Sequence, residues 1–390
     1  MLRIPADQQL SAVSLVDTVL KQATLYNASD IHFEPSSEGL VIRVRIDGVL
    51  YDAATCIIDT ISSVMARLKI LAHINVAEHR IPQDGKFSFN FKNRIIDVRL
   101  STFPCSFGEK IVLRLLDQER LKISMPQLGF EPTMLAQSQQ LLSGSFGFFL
   151  AAGPTGSGKT TTLYAALSAL NNRRQHIITL EDPIEYNIPG ISQAQIHPEA
   201  GFTFEKGMRA LLRQDPDIIM VGEMRDKQTA HIAIEAALTG HIVLSTIHAG
   251  DAPSVIMRLL DMGIEPFLIN AALTGVLAQR LVRRLCNACK VVKLPTADQQ
   301  SIMTKLSCTI EKLYESVGCT ECLGTGYKGR IGIFQLLIMS NQLRSVIVQQ
   351  PKLTDIEQIA QEEGMKTLAA DAFAKLSQGL TSFEEVIRVL

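Results

Sequence analysis

Tryptophan is absent from this sequence, aromatic residues make up 6% of it, and the formal net charge is -1. A protein that moves along nucleic acid uses a basic groove with aromatic side chains on which the bases stack. The densest basic run, formed by Arg280, Arg283 and Arg284, is predicted to lie on a helix and to have a local role there. We therefore expect no direct contact with nucleic acid.

The sequence also lacks long apolar runs and an export signal. Residues 1–10 are polar, and the longest apolar stretches, such as residues 146–152, have the length of a strand. A segment that spans a bilayer needs about 20 apolar residues, and a signal peptide needs an apolar core. We expect a cytoplasmic protein without a transmembrane segment, which reaches a membrane only by binding a partner embedded there.

The 390 residues, of which 46% are hydrophobic, are enough for two or three domains at about 150 residues each. Residues 1–116 combine a helix at 11–26 with short alternating strands, which predicts a small α/β domain. A linker at 117–131 precedes residues 132–285, where apolar strands alternate with helical stretches, as in a parallel sheet covered by helices. Residues 286–329 are rich in loops and cysteine, and residues 330–390 are predicted to be mainly helical.

Residues 153–160 fit the P-loop pattern GxxxxGK[ST] between an apolar strand at 148–152 and a helix at 162–170. In this setting the glycines let backbone N–H groups turn toward phosphate oxygens, and the helix N-terminus favours negative charge. Lys159 is predicted to reach the β- and γ-phosphates and Thr160 to ligate Mg²⁺. The predicted nucleotide-binding residues are Gly153, Pro154, Thr155, Gly156, Ser157, Gly158, Lys159, Thr160 and Thr161.

Carboxylates follow two further apolar strands. Glu223 comes just after the strand at 218–221, where ligands gather in open α/β sheets, and is our candidate to polarise the attacking water. Glu181, Asp182 and Glu185 follow the strand at 177–180. Three carboxylates repel a triphosphate unless a divalent cation lies between them, so we predict that Glu185 is a Mg²⁺ ligand. The alternatives are a solvated strand end at 223 and a structural turn at 182–183.

His241 and His248 bracket the strand at 242–246. A single histidine at such a place is usually structural. Because this strand is expected beside the two acidic strand ends, we predict that both histidines sense the γ-phosphate.

Four of the seven cysteines form two CxxC pairs, Cys286 with Cys289 and Cys319 with Cys322. Two such pairs close a tetrahedral four-sulfur Zn²⁺ site, which is structural because no coordination position stays open. A redox-active CxxC is the alternative, although neither pair opens a helix after a thioredoxin-like strand. The remaining cysteines, Cys56, Cys105 and Cys308, are predicted to be packing residues.

Stretches spread over nearly the whole chain resemble the secretion and type IV pilus ATPase superfamily. They include ASDIHFEP at 28–35, DVRLST at 97–102, GPTGSGKT at 153–160, LEDPIEY at 180–186, LLRQDPDIIMVGEMRD at 211–226, GHIVLSTIHAGDAPS at 240–254 and GLTSFEEVIRVL at 379–390. The resemblance implies a PAS-like α/β domain joined to a RecA-like P-loop ATPase domain. It also implies assembly as a homo-hexameric ring, with ATP bound at domain and subunit boundaries.

The resemblance extends to arginines. It implies that Arg99 and Arg114 approach the phosphates from the N-terminal domain, where arginine stabilises charge in the transition state. Four more positions match arginines that the family ties to activity, namely Arg209, Arg213, Arg225 and Arg330. For any one of these arginines the alternative is a surface ion pair.

The implied function is ATP hydrolysis that drives assembly of a pseudopilus or pilus, in type II secretion or type IV pilus biogenesis. The implied partner is an inner-membrane platform protein, so the chain would be peripherally associated with the inner membrane. Assembly and secretion ATPases usually carry the tetracysteine motif, which retraction ATPases lack. The alternatives are a RecA-like nucleic-acid translocase and a regulatory homologue that does not hydrolyse ATP.

Three features depart from the family pattern. Lys86 ends RIPQDGK where many relatives have arginine, and residues 248–252 read HAGDA in place of the more familiar HTND. Many relatives also carry an additional N-terminal domain that docks on the membrane platform, whereas this sequence begins at about the PAS-like domain. We expect that the docking surface lies elsewhere or that the sequence is truncated.

Overall fold

A computed structural model describes residues 11–117, 122–306, 308–349 and 351–390. The chain divides into two compact units. The first unit contains Met1–Leu121, Leu285–Val291 and Ser316–Gly329, and the second contains Lys122–Arg284, Val292–Glu315 and Arg330–Leu390. Residues 1–10, whose polar character argued against an export signal, lie outside the described residues, as do residues 118–121 of the predicted linker.

The first unit is an antiparallel sheet of six strands with two helices packed on one face. The strands follow the order β3-β2-β1-β6-β5-β4. Leu15, Val16 and Val19 of the first helix and Leu68 of the second are buried against it. The elements are α1 (Ala12–Leu25), β1 (Ala28–Ser36), β2 (Gly39–Ile46), β3 (Val49–Cys56), α2 (Ile61–Leu71), β4 (Asp84–Phe91), β5 (Arg94–Cys105) and β6 (Gly108–Asp117).

The alternating apolar pattern predicted the first helix and five of these six strands. The helix stops where expected, because Asn27 adopts a left-handed conformation with φ of 61°. The strand β3 and the helix α2 were not predicted. The burial of β3 alternates poorly, with only one buried residue among its eight, so the sequence carries little period-2 signal there.

The second unit is built on a seven-stranded sheet with the order β15-β12-β7-β11-β10-β8-β9. The strand pairs β8–β10, β10–β11, β11–β7 and β7–β12 are parallel. The elements up to β12 are α3 (Pro132–Leu142), β7 (Gly147–Ala152), α4 (Lys159–Leu170), β8 (Ile177–Glu181), β9 (Ser192–Gln195), α5 (Phe204–Leu211), β10 (Ile218–Val221), α6 (Lys227–Leu238), β11 (Ile242–Ile247), α7 (Ala252–Asp261), α8 (Pro266–Ala272) and β12 (Leu273–Leu285). The prediction of a mainly parallel sheet covered by helices is confirmed.

The remaining elements complete both units. They are β13 (Lys290–Lys293), α9 (Ala297–Lys305), β14 (Leu313–Ser316), β15 (Tyr327–Ile338), α10 (Asn341–Ile347), α11 (Leu353–Glu362), α12 (Leu368–Ser377) and α13 (Phe383–Val389). The α/β fold class and the helical C-terminus are therefore as predicted. The five-part division at 116, 131, 285 and 329 stays a prediction.

One segment has a different structure from the predicted one. Arg280, Arg283 and Arg284 lie on the strand β12 and not on a helix. The preceding residues of β12 pair with β7 from Leu273 to Ala278, and this tertiary pairing decides the conformation of a short apolar run whose periodicity is ambiguous.

Part of the predicted linker is packed into the second unit. Met125 and Phe130 are buried, and the ring of Phe130 stacks on Phe334 with centroids 4.0 Å apart. Across the described ranges, no helix has both the length and the apolar character required to cross a membrane.

Candidate nucleotide site and metal centre

Four parallel strands of the second unit end at the same edge of the sheet, and the predicted site residues follow them. The P-loop follows β7, Glu223 follows β10, His248 follows β11, and Glu181 is the last residue of β8. All six residues of β7 are buried. A buried parallel strand presents only its carboxyl end to a ligand, so the residues after these strands form the site.

The P-loop backbone requires glycine at Gly153 and Gly158. Gly153 has a φ of 148°, and a Cβ added there would lie 2.6 Å from both the Gln279 carbonyl oxygen and the Ser157 Oγ. Gly158 has a φ of 89° and caps the helix that begins at Lys159. The loop therefore packs closely against the backbone of Gln279 at Gly153, and the helix begins six residues later.

The ammonium of Lys159 is folded back on its own loop. Its Nζ donates to the carbonyl oxygens of Gly153 at 2.8 Å and Pro154 at 3.0 Å. Burial lowers the pKa of Lys159, and the nearby carboxylate of Glu223 opposes this shift. Since the ammonium is held by neutral carbonyls alone, charged phosphate oxygens would be stronger acceptors for it.

Glu223 is held between two side chains. Its Oε1 lies 3.0 Å from His248 Nε2, and its Oε2 accepts from Arg225 Nε at 2.7 Å. The strand ends that carry Glu223 and His248 are tied together by the Thr246 hydroxyl, which donates to the Gly222 carbonyl at 2.7 Å. The structure thus brings Glu223 and His248 into contact, at the edge of the sheet that carries the P-loop.

Glu185 lies in the loop after β8, beside the P-loop helix. Its backbone N–H donates to the hydroxyl of Tyr164, which belongs to α4, at 3.3 Å. Burial is the largest cause that raises the pKa of Tyr164, followed by the Glu181 carboxylate, and the hydrogen bond from the Glu185 backbone opposes the shift. Glu181 is 2% exposed, whereas Asp182 is exposed. Of the three predicted carboxylates, Glu181 is thus the one withdrawn from solvent.

His241 lies at the opposite end of β11 from His248. It precedes β11, whose first residue, Ile242, pairs with Gly147 at the start of β7. Its Nδ1 lies 2.8 Å from the Ala236 carbonyl oxygen. The two histidines stand at opposite ends of one strand, about 23 Å apart for seven steps of 3.3 Å each. That His241 senses the γ-phosphate stays a prediction, and its position weighs against it, because residues that bracket a strand lie at opposite edges of its sheet.

The arginines divide between the two units. Arg99 and Arg114 are direct partners on the adjacent strands β5 and β6 of the first unit. Arg114 Nε donates to Asp30 Oδ1 at 3.1 Å. In the second unit, Arg209 pairs with Glu205 and Arg213 donates to the Arg209 carbonyl, while Arg330 lies on β15. That Arg99 and Arg114 approach the phosphates stays a prediction.

The four CxxC cysteines form one cluster. Their Sγ atoms all lie within 4.8 Å of one another, with Cys286–Cys319 at 3.9 Å, Cys289–Cys322 at 3.7 Å and Cys319–Cys322 at 3.7 Å. A tetrahedral metal with metal–sulfur bonds of about 2.3 Å places its sulfurs about 3.8 Å apart. These separations exceed the S–S bond of about 2.05 Å in a disulfide. The donor set and its spacing fit a metal ion.

Backbone donors favour the thiolate form of Cys322, whereas burial raises the pKa of Cys286 and Cys289. The N–H groups of Cys319 and Gly326 lie 3.1 and 3.2 Å from Cys322 Sγ. Burial raises the pKa of Cys322, but these N–H groups outweigh it and bring the pKa to about 7. Thiolate is the form that binds metals.

The basic run on β12 has partners in the second unit. Arg283 donates to the buried carboxylate of Glu385 at 2.7 Å, and Arg280 donates to the Gln279 and Gly250 carbonyls. The local role predicted for this run is therefore confirmed for these two arginines.

Two residues of the site, Tyr164 and Gln279, escaped sequence reasoning, and the contact of Glu181 with Tyr164 was not predicted. Tyr164 and Glu181 meet beneath the loop of Glu185, and Gln279 Nε2 donates to the Ser157 carbonyl at 2.7 Å. Tyr164 lies five residues after Lys159, on the helix that the P-loop motif itself predicts, and this spacing was the one available signal. The contact of Gln279 joins residues 122 positions apart and leaves no local signal.

The family model described as "Type II/IV secretion system protein" matches residues 6–388 of this chain. The chain belongs to this family. It is 45% identical over 379 residues to the type IV pilus assembly ATPase PilB of Thermus thermophilus, covering 97% of this chain and 43% of that protein. It is 46% identical over 381 residues to the type IV pilus assembly ATPase TfpB of Acinetobacter baylyi, covering 97% of this chain and 65% of that protein.

A type II secretion system protein E, from Aeromonas hydrophila, is 42% identical over 386 residues, covering 99% of this chain and 77% of that protein. Among solved structures, the pilus retraction motor PilT with bound ADP superposes with a TM-score of 0.62 at 25% identity, over 95% of this chain and 96% of that one. The ATPase DotB of Legionella pneumophila superposes with a TM-score of 0.71 at 19% identity, over 100% and 98% of the two chains. The DotB match shows a shared fold, and the family predicted from the sequence motifs is confirmed.

Proposed function

We propose that this chain is an ATPase that binds ATP with Mg²⁺ at its P-loop and uses Glu223 to activate water. The observation that carries the proposal is that the P-loop, His248 and Glu223 follow the neighbouring strands β7, β11 and β10 at one sheet edge, where Glu223 Oε1 lies 3.0 Å from His248 Nε2. The names of the PilB, TfpB and DotB relatives and neighbours, and the ADP bound to PilT, support the same activity.

Each residue has a distinct part in the proposed reaction. Lys159 exchanges the Gly153 and Pro154 carbonyls for β- and γ-phosphate oxygens. Thr160 and Glu185 hold Mg²⁺, which neutralises phosphate charge when bound. Glu223 accepts a proton from the attacking water, and His248 keeps the carboxylate oriented until then. Arg99 and Arg114 stabilise the charge that develops on the γ-phosphate.

For the biological process, we propose that hydrolysis drives assembly of a pseudopilus or a pilus through an inner-membrane platform protein. The matched relatives include both type II secretion and type IV pilus assembly proteins, and the chain spans 43% and 65% of the lengths of PilB and TfpB. A cytoplasmic homo-hexamer at the inner membrane belongs to the same proposal, as do the five predicted domains. The tetracysteine cluster favours assembly or secretion over retraction.

The metal in the cysteine cluster is proposed to be Zn²⁺. Four sulfur ligands with tetrahedral spacing are typical of structural zinc. The chain's own contribution is four sulfur ligands, of which Cys322 accepts from the Cys319 and Gly326 N–H groups, with Cys286 and Cys322 buried.

The test of the proposed activity is the Glu223→Gln variant. Nucleotide binding should persist, while phosphate release should fall by a factor of about 100 or more, which is the usual contribution of a general base. Glu235→Gln is the matched control, because Glu235 lies on α6 and pairs with His231. Unchanged phosphate release in Glu223→Gln would remove Glu223 from the reaction, and no release by the unmodified chain would favour the regulatory alternative.

A further inference from the structure

A buried hydrogen-bond network lies behind the loop that carries Glu185. Its centre is the Glu181 carboxylate, which accepts from the hydroxyls of Tyr164 and Thr179 and, at 3.1 Å, from Gln193 Nε2. Glu181 and Tyr164 are 2% and 1% exposed. Within the described ranges, no lysine, arginine or histidine forms an ion pair with Glu181, so these hydrogen bonds replace the water that a carboxylate loses on burial.

The network joins three segments of the site. Tyr164 belongs to the P-loop helix and accepts the N–H of Glu185. Gln193 belongs to β9, donates to the Tyr186 carbonyl at 3.1 Å and accepts the Ile188 N–H at 2.7 Å. One buried carboxylate thus links the helix of Lys159 and Thr160 to both ends of the loop that carries Glu185.

Packing adds to this connection. The ring of Tyr186 meets that of Tyr164 edge to face, with centroids 4.7 Å apart. A pair of apolar side chains would fill the same space without the cost of burying a carboxylate. The polar arrangement instead fixes where the backbone of Glu185 lies, through a directional hydrogen bond that apolar packing does not supply.

We infer that Glu181 is a positioning residue, which acts through Tyr164 to set the distance between Thr160 on the P-loop helix and Glu185 on the following loop. The inference rests on the proposed function, in which Thr160 and Glu185 hold Mg²⁺. It gives two carboxylates of residues 181–185 different roles: Glu181 orients the loop, and Glu185 faces the nucleotide.

The test measures the Mg²⁺ dependence of nucleotide binding by the full chain carrying Tyr164→Phe. This variant removes the hydroxyl and keeps the ring that packs on Tyr186. Affinity for ADP should stay within about twofold of the unmodified chain in EDTA. The gain in affinity on adding Mg²⁺ should shrink about tenfold, as expected from one misplaced hydrogen bond.

Two further variants separate positioning from general stability. Tyr26→Phe removes a phenol hydroxyl from the first unit. It should change neither the ADP affinity in EDTA nor the gain in affinity on adding Mg²⁺. Gln193→Leu detaches the other end of the loop while leaving the contact between Tyr164 and Glu181, and it should reproduce the loss of the Mg²⁺ effect. If the double variant Tyr164→Phe, Gln193→Leu loses no more of the Mg²⁺-dependent gain in affinity than either single variant does, the two residues act through one network.

Equal Mg²⁺ effects in Tyr164→Phe and the unmodified chain would overturn the inference. So would a loss of affinity in EDTA as large as the loss with Mg²⁺, because that result indicates a loosened P-loop and not a displaced metal ligand. The readout is binding, so it decides the inference even if the chain hydrolyses no ATP. Conversely, hydrolysis that depends on Glu223 with an unchanged Mg²⁺ effect in Tyr164→Phe would leave the proposed function in place.

Discussion

Glu223 Oε1 lies 3.0 Å from His248 Nε2, across the ends of two adjacent parallel strands. The other carboxylate oxygen is occupied by Arg225. Before nucleotide binds, both oxygens of the proposed base therefore already have partners on the protein. Activation of a water requires that one of these contacts be exchanged, and either partner can move into solvent, because the side chains of His248 and Arg225 are 49% and 60% exposed.

The first prediction concerns the two histidines. His248→Gln should lower phosphate release about tenfold with little change in nucleotide affinity, because a charged hydrogen bond that orients Glu223 is lost. His241→Gln should leave phosphate release within about twofold of the unmodified chain, since His241 contacts Ala236 at the opposite sheet edge. Steady-state phosphate assays with both variants make the comparison. Equal losses in the two would contradict the placement of His241.

The second prediction concerns the P-loop backbone. Gly153→Ala places a Cβ at 2.6 Å from Gln279 O and Ser157 Oγ, so the loop must shift away from the strand beneath it. We expect nucleotide affinity to fall at least about tenfold, measured by titration with a fluorescent ADP. Gly144→Ala is the matched control, because its Cβ would meet only ordinary contacts at 3.5 and 3.7 Å. Tight binding by Gly153→Ala would mean that the loop adopts another backbone.

The third prediction concerns the cysteine cluster. The purified chain should contain about one Zn²⁺ per molecule, released by a thiol reagent and measured with a colorimetric chelator. Cys319→Ser should lose the metal and lower the midpoint of thermal unfolding. Cys308→Ser should retain the metal, since Cys308 lies outside the cluster. A metal-free chain with an unaltered unfolding midpoint in Cys319→Ser would argue against a structural metal.

The fourth prediction concerns acid stability. Burial raises the pKa of Glu385, but hydrogen bonds from Arg388 and Arg283 outweigh it and hold the pKa below its ordinary value. A carboxyl group with a lower pKa in the folded state stabilises the fold above its unfolded pKa of about 4.5, and this contribution is lost as pH falls through the folded value.

We therefore expect Glu385→Gln to cost about 1–3 kcal/mol at pH 7 and to flatten the loss of stability below about pH 4.5. Urea unfolding at several pH values measures both effects. Glu384→Gln is the control, because Glu384 is exposed one residue away. A Glu385→Gln chain whose stability falls with acid as steeply as that of the unmodified chain would show that another group controls the transition.

Local sequence signals predicted the parts of the fold and site that depend on local rules. The P-loop spacing, the apolar strands at 147–152 and 218–221 and the CxxC pairs each carry their own pattern. Strand β12 was assigned to a helix because its apolar run has no clear period, and only its pairing with β7 resolves it.

The hydrogen bonds of Glu181 could not be predicted from the sequence for a related reason. Tyr164, Glu181 and Gln193 are separated by 17 and 12 positions, and nothing in the spacing of these residues indicates that they touch. The separation of His241 from His248 was missed for a geometric reason, because adjacency in sequence to a strand does not say which end of the strand faces the ligand. Placing residues at the carboxyl end of each parallel strand would have separated the two histidines without a structure.

The first unit is assembled from three stretches of chain that are distant in sequence. The four cysteines of its cluster are synthesised only after most of the second unit, so a ribosome releases the sheet of residues 28–117 long before its metal ligands. A fragment that ends near residue 121 would carry the sheet but none of the four thiolates. Dissecting this protein by truncation would consequently remove the metal centre together with the nucleotide site, and point substitutions are the means to separate their contributions.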